Sequence, residues 1–104
     1  MQWYNDVAVF FGGAFLANCL PHLTNGISGR QFQTPFASPP GKGLSSSTVN
    51  VLWGFFNLCL AYVLVIDIGG FNLHNVPQVI SLGLGMLSIS LISARHFGQF
   101  HGGR

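Results

Sequence analysis

Apolar residues gather along this chain in three long runs, with polar segments between them. The first runs from Val7 to Leu20, with Trp3 and Tyr4 before it and Pro21, His22 and Leu23 after it. The second runs from Val49 to Ile68. The third begins at Val76, reaches about Ala94 and extends toward Phe97. A bilayer core about 30 Å thick needs about 20 mostly apolar residues in a helix. At a rise of about 1.5 Å per residue, each run is long enough to cross. The pattern predicts an all-α integral membrane protein. Its single domain holds three transmembrane helices over about residues 5–23, 48–68 and 76–97.

The ends of the runs carry matching punctuation. Trp3 and Tyr4 stand where interfacial aromatic residues stand. Ser45, Ser46, Ser47 and Thr48 offer N-caps to the second helix, and Gly69-Gly70 offers a left-handed position to close it. Asn75 caps the third helix, Pro77 sits in its first turn, and Gln78 takes the capping-box place. Between the first two helices lies a long loop, about residues 24–47. Ile27, Phe32 and Phe36 ask for burial, while Pro35, Pro39 and Pro40 stiffen it, so an ordered loop folded against one mouth of the bundle is expected.

Composition removes the alternatives. Only 6% of the 104 residues are charged, where a soluble domain carries about 25%. The six are Asp6, Arg30, Lys42, Asp67, Arg95 and Arg104. Disorder requires low hydrophobicity, and 49% of this chain is hydrophobic. The net charge of +2 is scattered, which excludes a basic nucleic-acid patch. No basic region precedes the first run, so it reads as a retained span and not a signal peptide. Lys and Arg are absent before the first span, present in the first loop, absent from the second and present after the third. The positive-inside bias then sets the N-terminus outside, with the long loop and the C-terminus cytoplasmic, as in a multi-pass protein of a bacterial inner membrane. Cys19 and Cys59 both fall within apolar runs and read as small buried thiols, not a disulfide framework.

Small and polar residues mark the faces that pack on protein. In the second span Asn50, Gly54, Asn57 and Ala61 fall within about 60° of one another at about 100° per residue. An unpaired amide in hydrocarbon costs several kcal/mol, so this face turns inward. The third span has two small-residue faces, one with Ser81, Gly85 and Ser88, the other with Gly83, Ser90 and Ala94. Neighbours on both sides imply a homo-oligomer or a larger membrane partner besides the lipid bilayer.

Polar residues within membrane spans are functional candidates. Asn18 and His22 share a face near the end of the first span, beside the Ala17 carbonyl that Pro21 leaves unpaired. With Asn50, Asn57 and Arg30 they form the candidate substrate-binding or pathway set. His96 ends the third span at the same depth as His22. A metal or haem held by His22 and His96, with Cys19 nearby, has no CxxC or HxxxH spacing behind it, so no metal or other cofactor is expected. His74 and His101 read as solvated. Asp6 and Asp67 stand at the outer ends of the first two spans.

Catalytic motifs fail in detail. Gly41-Lys42-Gly43 has Phe36 where a phosphate loop needs glycine, and lacks the following Ser or Thr. Gly26-Ile27-Ser28-Gly29-Arg30 fails as a nucleophile elbow at its last position. The chain is expected not to be an enzyme. It reads as an oligomeric transporter or channel for a small polar solute or ion. The alternative is a non-catalytic accessory or structural subunit of a larger membrane complex.

Overall fold

The computed structural model describes residues 2–104 and is mostly helical. Helix α1 covers Trp3–Ile27, α2 covers Ser47–Tyr62 and α3 covers Val76–His101. A π-helical turn, Val63–Ile68, continues α2. All three helical segments are long and apolar enough to cross a membrane. The connection between α1 and α2 contains a short antiparallel pair, β1 at Phe32–Gln33 and β2 at Leu44–Ser45, with Phe32 opposite Ser45 and Gln33 opposite Leu44. This pair is the one departure from an all-helical chain among the described residues.

Helix α1 is the shared partner. Both α2 and α3 pack along it and make little contact with each other. Small side chains permit the close approach. A Cβ on Gly54 of α2 would stand 2.8 Å from the Leu23 backbone nitrogen, and one on Gly85 of α3 would collide with the Phe10 carbonyl oxygen. The buried residues of α2 are Asn50, Gly54, Asn57 and Ala61, the face that the 100° periodicity picks out. On α3, Gly85 is buried against α1, whereas Gly83 has nothing within 4 Å and Ser90 and Ala94 are exposed.

Helix boundaries follow local chemistry. Pro21 forfeits one hydrogen bond without ending α1, because Leu23 and Gly26 beyond it pack on Gly54 and on the Ser47–Val51 turn of α2. The helix therefore ends at Ile27 and not near residue 23. Gly29, at φ 76°, closes it: its amide donates to the Gly26 carbonyl at 3.0 Å and the Arg30 amide to Asn25 at 2.8 Å, a Schellman arrangement. Ser46 is the cap of α2, accepting from the Val49 amide at 3.2 Å. Asn75 caps α3 by accepting from the Gln78 amide at 3.1 Å. The Gln78 side chain bonds the turn that precedes its helix. Fully buried, it accepts from the Asn72 amide at 2.7 Å and donates to the Gly69 carbonyl at 2.8 Å, knitting the α2–α3 turn together. At that end of the molecule Asn5 donates to the Ile68 carbonyl at 2.9 Å, joining the start of α1 to the π-helical turn.

Two expectations of burial fail. Phe36 and Ile27 are exposed, and of the three loop hydrophobics only Phe32 is buried. Cys59 is also exposed, while Cys19 is buried.

Substituting Gly85→Leu should lower the unfolding free energy by about 1–3 kcal/mol, the usual cost of overpacking. Gly83→Ala, into open space, should leave it unchanged. Denaturant titration in micelles checks both.

Candidate functional site

The site lies where the C-terminal half of α1, the start of α2, the β1–β2 connection and the end of α3 converge. A cavity of about 120 Å³ opens there. Its polar lining comes from Asn18, His22, Gln33, Thr34 and His96, and Trp53 and Phe97 supply ring walls. No Asp, Glu, Lys or Arg lines it.

Asn18 and His22 reach it from one face of α1 because they are four residues apart. His22 is buried, and its Nδ1 lies 2.9 Å from Asn50 Oδ1. The Asn50 amide nitrogen donates to three carbonyls, those of Phe32 at 3.1 Å, Ser45 at 3.2 Å and Ser46 at 3.0 Å. That commitment fixes the amide orientation, so Oδ1 faces His22 and the imidazole donates from Nδ1–H. In the neutral ring Nε2 then carries a lone pair. Asn18 donates through Nδ2 to Asn57 Oδ1 at 3.1 Å, and Asn57 in turn donates to the Trp53 carbonyl at 2.7 Å. Asn57 is fully buried behind Asn18.

The β1–β2 connection roofs the cavity and is tied down from three sides. His96 Nε2–H donates to the Gly41 carbonyl at 2.6 Å. His101 donates through Nε2 to Gln33 Oε1 at 3.0 Å and stacks on Phe32 with ring centroids 5.1 Å apart. Within the roof, the Thr34 and Ser45 hydroxyls are 2.5 Å apart, and Gly41 donates its amide to the Thr34 carbonyl at 2.8 Å. His22 presents its ring edgewise to Phe32, Trp53 and Phe97 at centroid distances of 5.5, 6.3 and 6.1 Å.

The candidate residues divide three ways. Asn18 and His22 line the cavity, together with His96. Asn50 and Asn57 stand behind them as hydrogen-bond supports. Arg30 is elsewhere: exposed beyond the end of α1, it donates from Nε to Asn25 Oδ1 at 3.0 Å. Cys19, His22 and His96 form no metal-sized cluster, and no group of three or more His, Cys, Asp or Glu does among the described residues. His101 is exposed, as expected of a tail residue, and is in addition held by Phe32 and Gln33. Asp6 and Asp67 are at the opposite end; Asp6 has a buried Oδ1 without a hydrogen-bond partner among the described residues, and Asp67 is exposed.

Sequence reasoning missed Gln33, Thr34, Trp53 and Phe97. Trp53 was within reach, since it lies three residues after Asn50 and four before Asn57 on α2. Gln33 and Thr34 carried no spacing signal, as only the β1–β2 pairing turns them over the cavity. Against family models, curated proteins and solved structures, the chain shows no significant match.

Asn50→Ala should strip the roof of its donor to three carbonyls and leave His22 Nδ1–H unpaired. Each buried group so orphaned costs about 1–3 kcal/mol. The expected outcome is a lower melting temperature with faster amide exchange at Gln33 and Ser45, followed by hydrogen–deuterium exchange. An Asn18→Ala, Asn57→Ala double-mutant cycle should give a coupling near about 0.6 kcal/mol, as for other interhelical hydrogen bonds.

Proposed function

We propose that this chain is a small integral membrane protein that takes up a small polar solute or ion at its loop-covered face, working as a transporter or channel assembled from several copies. The observation that carries the reading is the cavity under the β1–β2 roof, where Asn18, His22, Gln33, Thr34 and His96 meet among helices of membrane-spanning length. Buried polar groups in such a setting are costly unless they bond or serve a ligand. The bias of Arg30, Lys42, Arg95 and Arg104 toward one side supports a reading in which the cavity opens at the cytoplasmic face of a bacterial inner membrane.

Assembly enters for two reasons. Within one copy Asn57 closes off the space behind Asn18. Asn18 also borders a hollow of about 280 Å³ on the α1–α3 surface, lined by Phe11, Ala14, Phe15 and Ile89, which faces outward and needs a neighbour to become a passage. Gly83, Ser90 and Ala94 lie bare on α3 and fit close helix approach by another copy. The reading calls for no catalysis and no resident cofactor.

A non-catalytic accessory subunit is the second reading. It is favoured by the full burial of Asn50 and Asn57 in bonds within the chain, which spends on structure two amides a pathway would use.

Purified protein should run as a homogeneous oligomer and carry solute flux into liposomes. Gly83→Leu with Ser90→Leu should shift it toward the monomer on analytical ultracentrifugation. Co-purification with a stoichiometric different protein, and no flux from the chain alone, would favour the accessory role instead.

A further inference from the structure

We propose that the solute taken into this cavity is an uncharged small amide of about the size of urea. The physiological sense of this rests on the transport reading above; the recognition chemistry does not.

Charge is the first constraint. No carboxylate, ammonium or guanidinium lines the cavity, so an ion entering it would shed water without meeting a formal opposite charge, which is strongly unfavourable. Volume is the second. About 120 Å³ matches roughly four waters at about 30 Å³ each, a solute of a few heavy atoms.

The inventory of uncommitted donors and acceptors is the third and most selective. His96 Nε2–H is used by the Gly41 carbonyl and the Thr34 hydroxyl by Ser45. Four groups on cavity-lining residues remain, one of them the buried Trp53 Nε1–H, a donor without a hydrogen-bond partner among the described residues. His22 Nε2 is an acceptor, because Asn50 has fixed the proton on Nδ1. Asn18 Oδ1 is an acceptor, because its Nδ2 bonds Asn57. Gln33 Nε2 is a donor, because its Oε1 accepts from His101. The two acceptors lie one turn apart on one face of α1, one donor comes from β1 in the roof and the other from Trp53 on α2. The complement is a molecule with N–H groups on one side and a carbonyl oxygen on the other. The edge-on rings of His22, Trp53 and Phe97 favour a flat one. Urea and small primary amides meet all these conditions. A polyol has the hydrogen bonds without the planarity, and ammonium has the N–H groups but brings a charge and no carbonyl.

The test uses the full chain in lipid nanodiscs with 15N-labelled histidine, titrated separately with low urea, acetamide, glycerol and ammonium chloride. The His22 resonances are assigned by their loss in His22→Phe. With urea and acetamide the Nε2 resonance should move saturably while Nδ1, held by Asn50, stays. Gln33→Leu should weaken that response by about tenfold, the value of one hydrogen bond, and an unchanged Nδ1 resonance will show that the variant is folded. No saturable Nε2 shift with either amide, or an equal shift with glycerol or ammonium chloride, overturns the proposal. Liposome flux separates the two readings. Urea binding without urea flux keeps the ligand class and removes transport. Ion flux without amide binding keeps transport and removes the ligand class.

Discussion

A backbone carbonyl buried inside a protein must find its donor within the protein or carry the cost of a lost hydrogen bond. The β1–β2 pair brings the Phe32 and Ser45 carbonyls against the start of α2, where the two hydrogens of the Asn50 amide are shared among them and the Ser46 carbonyl, which also accepts from the Asn50 backbone amide. The same side chain then has only its oxygen left for His22, which settles the imidazole tautomer. Roof position, ring orientation and the chemical character of the cavity thus hang on one residue. A polar network of this kind either satisfies every member or becomes a liability, and here each Asn50 atom that can bond does so.

The helices are arranged to keep that network in register. α1 serves as the spine, with α2 and α3 drawn against it at glycines whose missing side chains are filled by opposing backbone. Backbone approach of this kind leaves little room for sliding, since interiors packed to such density respond to shifts as discrete clashes. The spine carries Asn18 and His22 on one side and fixes them relative to both neighbours. The outward sides of α2 and α3 are left to large exposed apolar residues such as Phe55, Phe56, Leu84 and Leu91, which contribute no geometry to the cavity.

How much of this could be read beforehand depended on range. Properties set within a helical turn or two were legible: the three long apolar helices, the caps Ser46 and Asn75, and the inward face of Asn50, Gly54, Asn57 and Ala61. Asn18 and His22 emerged as a pair because four residues separate them. Properties set by pairing across the chain were not. Gln33 and Thr34 look like ordinary loop residues until β1 meets β2, and His101 looks unattached until Phe32 is placed beneath it. Arg30 drew notice through its charge, yet its guanidinium serves the end of α1. The π-helical turn after Tyr62 has no apolar-pattern signature at all, because widening a helix by one residue leaves its composition untouched.

The bond between His96 and Gly41 joins residues 55 positions apart. During synthesis at about 5–20 residues per second, Gly41 therefore waits several seconds for its partner, with α1 and α2 already made. Over that interval Phe32 lacks the His101 ring that stacks on it, and the roof has no fastening on its far side. The pocket is consequently a late product of biogenesis, finished only when the last helix adds His96 and Phe97 to a lining that α1, α2 and the β1–β2 connection have already supplied, and a nascent chain stalled before residue 96 would leave it open on that side.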